Sequence, residues 1–600
     1  MKYINIFALI MINIFSINAV NAFVTVGDAS DSDCDYSDLQ SAFDSGDIEI
    51  LMSKQTTFVG NYSLNSQDLN LQGGYNSCLD AEQNILIEGN KSEIKSNGNG
   101  HVLAINGGEV ATQISLSNII ITGFNSNYRN GITDGSGLYL EGINGTVTIE
   151  NSLIHNNTAT QGGGIFVNDT DIEVIIKNSS ISDNIANARG GGIYCQGATI
   201  KIDSTSLVSN NQVFGTQSTG VGGGLYAYLC NIEIYAGNSD GISAGFIGNQ
   251  SVRDGAGVYA VASDVIINGQ QESISNPIMG DNTQPVLFKD NLSDSDDNGT
   301  GYGAALYIHL GSATIQGAWF DGNKGSENGE GGFNRGSVIY AKNGAIVTMG
   351  RNTNQPCWRQ RLCNLISNNK HVAIELSNAP TSVTITDTEF RDNIANWTGL
   401  LNIRNSTSSD IGNGPYFTFA NNLVYNNQSA NVGLLKANSN APEHCCIIDI
   451  NFFNNTVSNN QFAGEVFIVR EDVTFSMHGN IVYEPTLNEA TFDITNSPFN
   501  TINISCLITS EINSIPQIDF TTIMADPQFV DAANNDYHLM VTSPAIDFCD
   551  NSQYTPPIMD MDIQQRGRDE PTVMNFDGLI DLGVDEYYPA DIIFLNSFEL

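Results

Sequence analysis

The residues best suited by type and spacing to chemistry are acidic. In "DSDDNG", Asp294, Asp296 and Asn298 alternate ahead of Gly299. Oxygen ligands at alternate positions of a tight loop can wrap one divalent cation. A twelve-residue calcium loop would close on a glutamate at its last position, but that position is Ala305. The three residues are therefore a calcium candidate without the closing ligand, and a solvated acidic loop is the preferred interpretation. Later, Asp560 and Asp562 lie two apart, and Asp581, Asp585 and Glu586 follow beyond Arg566 and Arg568. These carboxylates could bind calcium, or pair with the two arginines and stabilise a cap, which is preferred. Asp183, Asp290 and Asp392 each precede an asparagine at one recurring position. They could share an outer row and act as acid and base, although aspartate is also at home in turns for backbone reasons alone. No cofactor other than calcium is expected, and without a CxxC pair no zinc site is expected.

Such groups need a scaffold, and its signature is repetition. Glycine clusters followed by an aliphatic and usually an aromatic residue recur. They read "GSGLY" from Gly135, "GGGIF" from Gly162, "GGGIY" from Gly190 and "GGGLY" from Gly222, then "GAGVY" from Gly255, "GAALY" from Gly303 and "GSVIY" from Gly336. Their start-to-start spacings are 27, 28, 32, 33, 48 and 33 residues. A second motif, apolar-x-x-Asn, interleaves with the first. It ends on Asn127, Asn157, Asn184, Asn211, Asn249, Asn291, Asn323, Asn369, Asn393, Asn427 and Asn460. Between the motifs run alternating segments such as "TVTIEN", "IEVIIKN", "ATIKID" and "SVTITD". These are rich in β-branched residues, have a period of two, and are bounded by turn formers.

A unit of about 30 residues with three short strands cannot bury its own apolar face, so it must stack on its neighbours. The fold class expected is all-β: a right-handed parallel β-helix of about a dozen coils with N- and C-terminal caps. Glycine suits its sharp corners. Stacked asparagine amides can bond along the axis as a ladder, which makes the eleven asparagines structural. The tyrosines after the glycines are expected to face inward or to cap a corner. The chain divides into a leader (1–22), an N-terminal cap with the first coil (23–80), the β-helix (81–525) and a C-terminal cap and tail (526–600).

Of 600 residues, 23 are Lys or Arg and 65 are Asp or Glu, a formal charge of −42. This excludes a general nucleic-acid binder, which needs dense cations, and disfavours an anionic membrane surface. The first 22 residues carry Lys2, an apolar run from Ile4 to Val20, and Val20 and Ala22 before an expected cut at Phe23. This is a secretory leader pattern. No later run offers the ~20 apolar residues of a membrane helix. Ten cysteines in an exported chain suggest disulfides. Cys34 and Cys78 flank the first folded segment, and Cys195 and Cys230 follow successive glycine clusters. Cys357 and Cys363 enclose "WRQRL". Cys549 could tie the tail to Cys506 or to the Cys445–Cys446 pair, and the connectivity stays open.

Family resemblance rests on these motifs. The glycine-aliphatic and apolar-x-x-Asn pairing over 123–460 is similar to the repeats of chlamydial polymorphic outer membrane proteins, which are adhesins. In the tail, "DPQFVD", "DYHLMVTSPAIDFCD", "DMDIQQRGR" and "DLGVDE" occur in order. This pattern resembles the C-terminal segment of secreted bacterial β-helix proteins called choice-of-anchor Q proteins, with Ile563 where the family has glycine. "CDYSDLQSAF" and "LNLQGGYNSC" resemble the N-terminal cap region of the same proteins. Parallel β-helices also include pectate lyases and polygalacturonases, and His478 in "MHGN" is similar to a His-Gly pair of the latter. Their companion Asn-x-Asp, Asp-Asp and Arg-x-Lys elements are not found in the expected order. The function expected is surface adhesion, or glycan or protein binding, by a secreted or cell-surface monomer without catalysis. A polysaccharide lyase or glycoside hydrolase on the same scaffold is the alternative.

Overall fold

A computed structural model describes residues 23–589, apart from 66, 99, 109–110, 124–133, 204, 217–218, 236–243, 270–283, 298–300, 326–335, 352–356, 360, 396–397, 407–413, 442–445, 517–518, 551 and 553. The leader, Asn127, Asn298 and Cys445 lie outside the described residues.

The chain is a right-handed parallel β-helix. One coil explains the rest. The alternating strand Ile172–Lys177 points Ile172, Val174 and Ile176 inward. Asn178 then adopts a left-handed φ of 42° and turns the chain into the short strand Ser180–Ser182. Asp183, at φ 56°, turns it again into Ile185–Arg189. A glycine corner leads into Ile193–Gln196, and Gly197, at φ 81°, returns the chain to the start of the next coil. Two of these strands per coil build a 30-stranded sheet, and Ile193–Gln196 belongs to a 14-stranded sheet. That sheet counts fourteen coils among the described residues, against the dozen expected. At the ~4.8 Å spacing of paired strands the rod is roughly 65 Å long. One continuous apolar core fills it from Val26 to Ile515.

The glycine triplets have three separate causes. Gly190 holds φ 63°, which a side chain rarely adopts. A Cβ on Gly191 would lie 2.5 Å from the Gly223 carbonyl oxygen of the next coil, and one on Gly192 would lie 2.9 Å from Asn211 Nδ2. The aromatic residue that follows faces neither the core nor a cap. Tyr139, Phe166, Tyr194, Tyr226, Tyr259, Tyr307 and Tyr340 form a column along the rod with ring centroids 4.4–5.6 Å apart. Alternation explains this: Ile165 and Val167 join the core, so Phe166 between them must point outward.

The helix Leu39–Asp44 buries Leu39, Ala42 and Phe43 over the first coil, and Asp38 caps it by accepting from the Ser41 amide. Disulfides join Cys34–Cys78, Cys195–Cys230, Cys357–Cys363 and Cys506–Cys549. The tail differs from the expected end cap. It runs back along the flank of the last coils, burying Leu539, Phe548, Ile580 and Leu582 against Ile481 and Ile508, and Tyr537 and Val584 against Leu423 and Tyr425. Leu487, Ile512 and Ile515 pack on the core near its far end instead. No helix among the described residues is long and apolar enough to cross a membrane.

Candidate functional site

The recurring asparagines are consumed by structure. Ten of the eleven, Asn157 to Asn460, stand in one buried row. From Asn184 onward each Oδ1 accepts from both the backbone N–H and the Nδ2 amide of the asparagine one coil earlier; for Asn184 on Asn211 both distances are 3.0 Å. Each Nδ2 also donates to a carbonyl of an earlier coil, as Asn184 does to Ile154 at 3.0 Å. The row ends on a residue the motif did not reveal. Glu484 accepts from Asn460 N at 2.9 Å and from Asn460 Nδ2 at 2.6 Å. Burial pushes its carboxyl up to about 8.

A second row stands five residues earlier, interrupted in the coils where that position is Ala244, Val286 or Ala318. Ser152 donates its amide to Ser179 Oγ and Ser179 to Ser206 Oγ. Farther along, Asn422 donates to Asn455 and Asn455 to Asn480. Asp183, Asp290 and Asp392 share only a corner, at φ 53–57°. Asn156, Asn210 and Asn368 fill the same corner in other coils at φ 54–56°, so the position selects for backbone conformation and assembles no acid–base set.

Of the calcium candidate, Asp294 and Asp296 are among the described residues and Asn298 is not. Asp294 is buried at φ 58°, with its amide on the Arg253 carbonyl, and Asp296 is exposed. Among the described residues, three ligand-type side chains converge within 4.8 Å only at Asp31–Cys34–Cys78, where the cysteines are a disulfide, and at His538–Asp562–Asp585. Asp254 lies beside Asp294, and burial pushes its carboxyl up to about 6.

The tail carboxylates cap main-chain amides more than they pair with arginine. Asp560 accepts from Asp562 N, Gln564 N and Glu586 N. Asp581 accepts from Asp547 N and Tyr587 N. Glu586 accepts from Gly567 N and Arg568 N, and its other oxygen is 3.9 Å from buried Arg566 Nη1. Arg566 also reaches Asn421 Oδ1 at 2.7 Å, bonding tail to coil. Burial pushes Asp560 up to about 7. His478 sits between Phe453 and Tyr554 with Nδ1 2.6 Å from Ser505 Oγ, and burial lowers its pKa. It serves the seam between helix and tail.

The arrangement best suited to a ligand lies where the tail ends on the flank. Trp319 and Trp358 are both half-buried, with ring centroids 6.1 Å apart and planes within 17°. Trp319 Nε1 donates to Ser367 Oγ at 2.8 Å, and Trp358 Nε1 to the Cys363 carbonyl at 2.9 Å, which fixes both rings. The Cys357–Cys363 disulfide closes the loop that carries Trp358 and Arg359. Arg359 and Arg391 flank buried Glu389, at 2.5 and 3.2 Å, and Tyr425 donates to it at 2.6 Å. Arg361 lies 4.0 Å from Asp562 of the tail, and Arg351 donates to the Arg361 carbonyl. Asp321 and Lys289, 3.5 Å apart, continue the shelf toward earlier coils. Four arginines and Lys289, five of the chain's 23 basic residues, therefore lie along this shelf, in a chain of net charge −42. Arg359 Nη1 is buried without a hydrogen-bond partner. Motif reasoning passes over this shelf, although Trp358, one of only three tryptophans, stands beside two arginines between two cysteines in "CWRQRLC", a visible signal.

No known protein-family model matches the chain, and no curated protein matches it.

Proposed function

We propose that this β-helix is an exported surface-binding rod whose flank shelf at Trp319 and Trp358 holds an anionic polysaccharide. The single observation that carries this is the pair of fixed, partly open tryptophan rings, with the Arg359 guanidinium 5.5 Å from the Trp358 ring centroid and Arg391 sharing Glu389 with it. An aromatic face is an apolar platform for the C–H face of a sugar ring. Guanidinium groups suit carboxylate or sulfate substituents. A rigid scaffold lets both act without ordering cost. The leader pattern of residues 1–22 and the resemblance to chlamydial polymorphic outer membrane repeats and to choice-of-anchor Q tails support export and adhesion by a monomer. They are proposed on the sequence motifs alone.

The test is binding of the mature full-length chain to polyuronate, sulfated and neutral polysaccharides by calorimetry. Trp358→Ala should weaken binding to the charged glycans at least tenfold, equivalent to about 1.4 kcal/mol, with the thermal midpoint nearly unchanged. Equal affinity for neutral and charged glycans, or an unaffected variant, would refute the proposal. Release of reducing ends or unsaturated products would move the assignment to the hydrolase or lyase alternative.

A further inference from the structure

His538 lies on the strand Asp536–Leu539, which pairs antiparallel with Phe529–Asp531. The hairpin is short, so His538 and Asp536, two apart, share a face. The imidazole is 5% exposed and meets carboxylates at both nitrogens: Asp536 Oδ1 at 2.5 Å from Nδ1 and Asp562 Oδ2 at 2.5 Å from Nε2. A third carboxylate, Asp585, comes from the last turn of the tail. One ligand atom each from His538, Asp562 and Asp585 lies within 4.8 Å of the others. Asp585 is 2% exposed, and while its Oδ2 accepts from the Leu539 amide at 2.8 Å, its Oδ1 has no hydrogen-bond partner.

We propose that His538, Asp562 and Asp585 form a buried divalent-metal site for Zn2+ or Mn2+, with Asp536 orienting the imidazole. Metal-ligating histidines characteristically donate their other ring N–H to a carboxylate, and the Asp536–Nδ1 contact supplies that partner. One imidazole and two carboxylates form an N/O donor set that suits zinc or manganese better than calcium, which takes oxygen ligands. The competing arrangement is a bare imidazolium. It can donate to Asp536 and Asp562, but it leaves the buried Asp585 Oδ1 unanswered. Arg361, 4.0 Å from Asp562 Oδ1, lies on the opposite carboxylate oxygen from His538. Asp560 is committed to three backbone amides. A cation would answer Asp585 directly and lock hairpin, turn and final segment of the tail together. Three protein ligands leave a fourth position for water or for the free oxygen of Asp585. The site needs no cysteine, which is why cysteine spacing gives no sign of it.

The test uses the full mature chain, with metal content measured by mass spectrometry after exhaustive dialysis, and chelator-stripped protein titrated with Zn2+, Mn2+ and Ca2+ separately. About one Zn2+ or Mn2+ per chain, and a rise in thermal midpoint when that metal is restored to stripped protein, are expected. Asp585→Asn, which keeps an acceptor for Leu539 N, should weaken the affinity at least tenfold. Should that variant fail to fold, Co2+ added to stripped wild-type protein should give d–d bands of a site with mixed nitrogen and oxygen ligands. Unchanged affinity in folded Asp585→Asn, binding of Ca2+ alone, or no metal-dependent change in midpoint or cobalt spectrum would overturn the proposal.

Discussion

Glu484 ends the asparagine row, and this makes the stability of the last coils depend on pH. Its two oxygens accept the two Asn460 donors at 2.9 and 2.6 Å, which favours the carboxylate, yet burial outweighs them and lifts the carboxyl from 4.5 to about 8. In the unfolded chain the group titrates at its ordinary value. A raised folded pKa means that the neutral form is preferred in the native state. The contribution is therefore fully present below pH 4.5, is lost as pH rises toward 8, and is constant above. At 1.36 kcal/mol per unit the whole span is on the order of 5 kcal/mol. Glu484→Gln removes the titration, although its amide group faces one Asn460 donor at a pH-independent cost of about 1–3 kcal/mol. The informative quantity is thus the difference between wild type and variant as a function of pH. Urea unfolding followed by tryptophan fluorescence from pH 4 to 9 measures it. The difference should shift in favour of the variant by several kcal/mol between pH 5 and 8. Parallel curves, differing by a constant across the range, would show that burial does not control this carboxyl.

Asn211→Ala strands both donors of Asn184 and the Ile181 carbonyl. At about 1 kcal/mol or more per stranded group it should lower the thermal midpoint clearly, with glycan affinity unchanged in calorimetry. Gly192→Val puts a Cβ 2.7 Å from the Gly224 carbonyl oxygen and 2.9 Å from Asn211 Nδ2, so it should unfold or aggregate on expression, as read by size-exclusion chromatography. Deleting residues 526–600, with Cys506→Ser to remove the stranded thiol, exposes Leu423, Tyr425, Ile481 and Ile508. Light scattering should then report aggregates of a chain that keeps its β dichroism, whereas a monomer as heat-stable as the full chain would refute the packing role of the tail.

What is legible in the sequence is whatever the backbone alone demands. Gly190 and Gly222 recur because φ 63° and 72° recur, and Asn184 and Asn211 recur because one amide must both accept and donate along the axis. The second row escapes because it is chemically mixed. Ser179 and Asn455 fill equivalent corners with different groups, so no single letter marks it, although the fixed offset of five from the first row does. The glycine-aromatic signature does not mark every coil: Leu401–Asn405 and Leu435–Ser439 occupy the 14-stranded sheet with neither triplet nor tyrosine. His538, Asp562 and Asp585 come together only through the folding of the tail, which no local pattern encodes.

An open β-helix end needs cover, and the tail has little apolar periodicity of its own, so sequence reasoning alone places it over that end. The strands it covers hold the better clue. In early coils the short second strand alternates: Leu153–His155 and Leu207–Ser209 bury only their middle residue. In later coils Leu423–Tyr425 and Thr456–Ser458 are buried throughout. A strand buried on both faces requires a second layer, and the segment beyond the last coil supplies it. Continuous apolar character in "NLVYN" and "GNIVYE", set against alternation in "NSLIHN", thus implies lateral cover for one half of the flank and leaves the other half open. The boundary between the halves falls at Trp319 and Trp358. There the proposed ligand would meet aromatic rings already fixed by the scaffold on one side and bordered by the tail on the other.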